Sequence, residues 1–198
     1  MCQNGAAVRR ASMLLLTAAC ACSSEAETNI EPVYDAATGR LELLKYDSRG
    51  QGRVDTWSYM NGSRILRIEM DRDGDGTIDR WEYYDASGAL EKVGYSRAND
   101  GRVDAWVHQA PDGSIGRRDT STGNGGMRTE RYEQGVLAEV EEDSDGDGRI
   151  DRWETYDGGR LASLALDTQQ AGRPDRRILY GADGNVRVEV VEDGPPDR

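Results

Sequence analysis

The chain has 198 residues, and its 37 acidic against 25 basic side chains give a formal net charge of −12. That balance disfavours nucleic acid and anionic lipid as direct partners of the folded part, and it suits cations and basic surfaces. With no Phe and 24 Gly, a large apolar core is also disfavoured, so stability is expected from repeated local contacts or bound ions.

The N-terminal stretch reads VRRASMLLLTAACACSSE. Arg9 and Arg10 precede an apolar run at 11–19 that is too short to span a bilayer. The three cysteines, Cys2, Cys20 and Cys22, all lie in this region, which leaves the body without a disulfide framework or a cysteine nucleophile. The basic, apolar, small-residue order ending at Cys20 resembles a bacterial lipoprotein signal, in which the Cys after the cut is lipidated. The resemblance implies a signal at 1–19, a lipidated Cys20 with a polar tether at 20–32, and a cell-envelope location with a lipid as the membrane attachment. Leu16 stands four residues before Cys20 where the family prefers three, so Cys22 stays open as the acceptor. An ordinary secretory signal cut nearby is the other reading.

From 33 to 198 the chain is periodic. Gly52, Gly76, Gly101, Gly125, Gly148 and Gly172 are spaced 24, 25, 24, 23 and 24 residues apart. A second turn signal alternates with them, at Asn61-Gly62, Ser87-Gly88, Asp112-Gly113, Gln134-Gly135, Gly158-Gly159 and Asp183-Gly184. Between the signals lie short runs such as IDRWEYY and VRVEV, rich in β-branched and aromatic residues. This pattern predicts an all-β chain of tandem β-hairpins, arranged as a long antiparallel meander or a β-solenoid-like sheet.

The segments VYDAATGRLELLKYD (33–47), YYDASGALEKVGY (83–95) and TYDGGRLASLALD (155–167) resemble the tyrosine-aspartate repeats of bacterial Rhs-type shell proteins. That resemblance implies hairpins wound into a strip. The chain is too short to build a closed shell, so the shell function does not carry over.

Residues 71–82, DRDGDGTIDRWE, and 143–154, DSDGDGRIDRWE, each place Asp at loop positions 1, 3, 5 and 9, Gly at 6 and Glu at 12. They resemble the EF-hand calcium loop. The resemblance implies calcium ligands at Asp71, Asp73, Asp75, Thr77 (carbonyl), Asp79 and Glu82, and at Asp143, Asp145, Asp147, Arg149 (carbonyl), Asp151 and Glu154. The 24-residue period leaves about 12 residues between loops, too few for EF-hand helices, so strands are expected on both sides. If residues 78–84 are extended, Glu82 and its counterpart are the least secure ligands. An EF-hand protein with short helices remains a further alternative. Loops taken to start at Asp47, Ser96, Thr120 and Asp167 lack ligands, and their twelfth residues are Ser58, Val107, Arg131 and Ile178. Glu at position 12 thus accompanies the full Asp set. Asp at position 9 recurs regardless, at Asp55, Asp104 and Asp175 as well, which predicts a cap on loop amides.

No catalytic set stands out. His108 falls where Tyr59, Tyr83 and Tyr132 fall in other repeats, and it reads as a member of an aromatic column. Trp57, Trp81, Trp106 and Trp153 share one repeat position. They form either a packing column or a surface for sugar rings. The sequence therefore predicts a non-enzymatic, calcium-binding envelope lipoprotein with a structural or interaction role. Binding of cell-wall or surface polysaccharide through the Trp column is the alternative, and another envelope protein is a candidate partner.

Overall fold

A computed structural model describes residues 29–191. The leader, Cys20, Cys22 and the tail 192–198 lie outside the described residues. The strands are β1 (Ile30–Tyr34), β2 (Leu41–Tyr46), β3 (Thr56–Asn61), β4 (Arg64–Met70), β5 (Arg80–Tyr84), β6 (Leu90–Tyr95) and β7 (Ala105–Gln109). They continue as β8 (Ile115–Ser121), β9 (Met127–Glu133), β10 (Val136–Glu142), β11 (Arg152–Asp157), β12 (Arg160–Leu166), β13 (Arg176–Tyr180) and β14 (Val186–Val190). No helix occurs among the described residues, so β4 and β5 flank the loop at 71–79, where EF-hand helices would have no room.

All fourteen strands join one antiparallel sheet in chain order, an open meander with β1 and β14 at its edges. Strand contacts run only between chain neighbours, so among the described residues no second layer covers either face. Tight hairpin turns fill one rim of the sheet and longer loops fill the other. Each hairpin from β1–β2 to β11–β12 carries a register shift near its turn, and β13–β14 carries none.

Without a second layer there is little apolar interior. Among the described residues four hydrophobic ones are buried, Val93, Ala105, Val140 and Ala165, against eight polar or charged ones. One face is instead held by a charged ladder that crosses the strands. Arg80 pairs with Glu82 at 2.6 Å, and the Tyr84 hydroxyl donates to the same carboxylate. Burial and that bond push the Tyr84 phenol up to about 12. Arg152 pairs with Glu154 at 2.6 Å, while Arg128 reaches Glu130, Glu142 and Glu154 together. Glu82, Glu130 and Glu154 thus each have an arginine and a tyrosine donor, as a charge drawn out of water requires.

Pairing follows a regular register except in the fourth repeat. There β8 and β9 are joined by 122–126 alone, and Ser121, whose N–H bonds Asp104, takes the place of loop position 1. The expected loop start at Thr120 is therefore corrected by one residue. Glu130, and not Arg131, pairs with Val140 as Glu154 does. Glu thus stands at this strand position in a repeat with a degenerate loop, so it does not track the Asp set. The same offset removes Tyr132 from the row of Tyr59, Tyr83 and His108. It aligns with Tyr84 and Tyr156, all three donating to a glutamate on their own strand.

The short fourth loop also forces close backbone approach. A Cβ on Gly126 would collide with the Asp143 carbonyl oxygen, whereas one on Gly116 would meet Ala110 at 3.4 Å. Gly126→Ala should therefore cost about 1–3 kcal/mol in urea unfolding, the range for forced overpacking. Gly116→Ala should stay within about 0.5 kcal/mol of the parent. Equal stability of both variants would contradict this packing.

Candidate metal centre

The loops between even and odd strands lie along one rim, and each is tied by its own carboxylates. At position 9, Asp55, Asp79, Asp104, Asp151 and Asp175 accept the main-chain N–H of position 2, from Ser48, Arg72, Arg97, Ser144 and Thr168 at 2.8–3.1 Å. At position 1, Asp71 accepts Gly74 N–H at 2.6 Å and Gly76 N–H at 2.8 Å, and Asp143 accepts Gly146 and Gly148 at 2.7 and 3.0 Å. Asp47 and Asp167 do the same in degenerate loops, each receiving the position-6 glycine N–H at 2.5 Å. Position 1 is therefore a cap as well as a candidate ligand, a role the motif alone does not reveal.

Capping sets the titration of Asp55, Asp104 and Asp175. Burial pushes the Asp55 carboxyl up, but the Ser48 amide and hydroxyl, the Thr56 hydroxyl and the Arg49 guanidinium outweigh it and hold it below the usual aspartate range. For Asp104, burial is outweighed by the Arg97 amide and guanidinium and the Ala98 amide. For Asp175 the Thr168 amide and hydroxyl dominate, and the pKa is again lowered.

Among the described residues two loops gather three carboxylates each. Asp71, Asp73 and Asp79 offer oxygens all within 4.8 Å of one another, as do Asp143, Asp145 and Asp151. That span is about twice a calcium–oxygen bond of ~2.4 Å, so one hard cation can touch all three. Each of these aspartates keeps at least one oxygen with a lone pair for it, Oδ1 in the case of Asp71. Asp75 stands beside the first trio, its Oδ1 taking the Thr77 N–H at 2.7 Å, a bond that lowers its pKa. Asp147 takes the Arg149 N–H at 2.8 Å and the Arg149 guanidinium at 3.2 Å. The Thr77 and Arg149 side of each loop is thus fixed, with Gly76 and Gly148 at positive φ. Glu82 and Glu154 lie outside both trios, on β5 and β11, held in the charged ladder.

Cross-loop contacts, absent from the motif, complete each site. Asn99 Nδ2 donates to Asp73 at 2.9 Å and to Asp75 at 2.7 Å, and Gln170 Nε2 donates to Asp145 at 2.8 Å. Both residues occupy loop position 4 with φ of 54° and 55°, where Gly50, Gly74 and Gly146 stand in other nine-residue loops. A non-glycine residue there is disfavoured, and it appears only in the loops that follow the two full Asp sets. That exchange of Gly for an amide was the signal available in the sequence. Arg53 also approaches, 3.4 Å from Asp71 Oδ2.

The remaining candidates are placed elsewhere. Trp57, Trp81, Trp106 and Trp153 are half-buried on the face opposite the charged ladder. The fourth and sixth repeats carry Thr129 and Arg177 in that row. Trp106 lies against Gly94, and the Lys92 ammonium sits 4.9 Å from its ring and 5.1 Å from that of Tyr83. His108 is 3.2 Å from Asp119, which also holds Arg117 at 2.7 Å.

No family model matches the chain, and neither does any curated protein. Among solved structures, the accessory secretory protein 1, 2 and 3 structure from Streptococcus pneumoniae is similar at TM-score 0.40 and 13% identity, over 52% of this chain and 19% of that one. A GtfA/B complex bound to UDP and GlcNAc gives TM-score 0.21 and 10% identity, over 81% of this chain and 24% of the other. The chain thus spans less than a quarter of either, and likeness at this level carries no argument about function.

The caps predict a pH response. Asp55, Asp104 and Asp175 have folded pKa values below the ordinary ~3.9. Their stabilisation is complete above that value and is lost as pH falls through the lowered folded values. Melting temperature should hold down to about pH 4.5 and fall steeply below about pH 4, less steeply in Asp55→Asn. A melting temperature that rises on acidification would contradict the capping.

Proposed function

We propose that the chain is a calcium-stabilised, non-enzymatic repeat module of the bacterial cell envelope, with a structural or interaction role. The observation that carries the reading is the pair of matched Asp trios, built alike on two loops three repeats apart. Three carboxylates within reach of one point repel each other, and a divalent cation that prefers oxygen relieves this. Calcium suits the site better than magnesium, which keeps most of its waters and needs near-ideal octahedral geometry. Asn99 and Gln170 support the same reading, since each brings the next repeat onto the carboxylates and couples the ion to the stacking of loops. With Glu82 and Glu154 engaged elsewhere, the neighbouring Asp75 and Asp147, the carbonyls at Thr77 and Arg149, and water are the remaining ligands. The half-exposed Trp row favours a second reading, stacking on polysaccharide. Tryptophan fluorescence unchanged by envelope oligosaccharides would dismiss it.

Extracellular sites of this type bind at about 10⁻⁴–10⁻³ M. At ~1 mM free calcium and a Kd of ~0.1 mM, each site adds RT ln 11, about 1.4 kcal/mol. Calorimetry should give a stoichiometry near two, and a chelator should lower the melting temperature. Asp73→Asn with Asp145→Asn should remove that sensitivity, because neither residue caps a position-4 or position-6 glycine, while Gln51→Ala should not. Absence of binding heat at millimolar calcium, with unchanged melting, would leave these loops as turns only.

The envelope location rests on the leader. Cys20→Ser should abolish fatty-acid labelling and release the protein from membranes. Labelling lost only in Cys22→Ser would move the acceptor, and labelling lost in neither would end the lipoprotein reading.

A further inference from the structure

The two edges of the sheet differ. The Asp47 N–H bonds Asn29, so Ile30, Pro32 and Tyr34 turn their main-chain groups outward from β1. Pro32 removes an outward donor, and the pairing shifts register at Val33/Tyr34, where the extra residue Glu42 bulges β2 and bends the hairpin edge. Both devices close an edge to further pairing.

β14 has neither device. The Val191 N–H bonds Asp175, so Arg187 and Glu189 face β13, while the main-chain groups of Val186, Val188 and Val190 face outward. The same three valine side chains lie on one face, 59, 65 and 64% exposed. Arg187 and Glu189 project on the other face and pair with each other, with the Arg187 side chain 75% exposed. The pairing with β13 is regular throughout. An unbulged edge with exposed valines on one face and no proline is the kind that accepts another strand.

The sequence of this edge, VRVEV, is complementary to itself. In antiparallel pairing centred on Val188, Val188 meets Val188, Val186 meets Val190, and Arg187 meets Glu189. The outward groups then form three hydrogen-bonded pairs, each exchanging two bonds as an antiparallel ladder requires. Registers displaced by one step keep the hydrogen-bond parity but centre on Arg187 or Glu189, setting like charges against each other. One register alone satisfies backbone, valines and charges together.

We propose that two copies of this chain join edge to edge through β14, antiparallel about Val188, making a closed two-fold dimer. The Pro32 edge of β1 stays free, so the assembly stops at two.

The test is sedimentation of the full-length chain with four variants. The parent should dimerise at or below about 100 μM. Val188→Pro removes an outward N–H that the protomer does not use, so it should be monomeric with an unchanged far-UV spectrum. Arg187→Glu and Glu189→Arg should each weaken the dimer about tenfold, since each sets two like charges opposite one another. The double exchange, Arg187→Glu with Glu189→Arg, should restore it. A monomeric parent, a dimeric Val188→Pro, or a double exchange no better than the single changes would overturn the proposal. So would assemblies larger than two, or dimers that form only after removal of 192–198, which would make the tail the occupant of this edge.

Discussion

The structure depends on one recurring bond, the aspartate at loop position 9 accepting the main-chain N–H of position 2. It fixes where the chain leaves one hairpin and enters the next. In five of the six loops the bond spans the same seven residues. In four loops an aspartate at position 1, Asp47, Asp71, Asp143 or Asp167, then closes the loop on its own glycine amides. Loop amides that would compete for water are thereby satisfied within the loop. Because the geometry repeats, each hairpin is delivered to the same register against its predecessor, and the sheet grows without a template from a second layer.

A sheet with both faces uncovered must find its cohesion in the plane. The Arg–Glu–Tyr ladder, the Trp and Tyr rows and the rim of stacked loops all act between neighbouring strands. This is why a chain without Phe can fold at all, and why acidic residues occupy buried positions without carrying uncompensated charge. The two Asp trios belong to the same logic. They are ordinary loops of this rim in which positions 3 and 5 have also become acidic, and the next repeat has answered with an amide at Asn99 or Gln170. Binding there would tie repeat to repeat, adding to a rim that already holds.

Much of this is legible in the sequence. The glycine period and the alternating turn signals give hairpins of the right number and placement, since Gly and Asp carry their backbone preferences locally. The recurrence of Asp at position 9 without its neighbours pointed to a cap. Less legible were features set by pairing. The two-residue contraction of the fourth loop moves Glu130 into the row of Glu82 and Glu154, and only the strand register shows it. Glu82 and Glu154 were drawn toward the ion by analogy with a helical motif. On a strand their side chains follow the pleat to Arg80, Arg128 and Arg152 instead. Asn99 and Gln170 act across a gap of about 25 residues, which no single-loop motif can display.

Amide hydrogen exchange at Ser48, Arg72, Arg97, Ser144 and Thr168 tests the capping account most directly. These loop amides should exchange as slowly as the strand amides beside them, because opening one loop breaks the carboxylate bond that holds the register. Added calcium should slow Arg72 and Ser144 further and leave Ser48 unchanged. Exchange at these five amides as fast as in free loops would contradict the account.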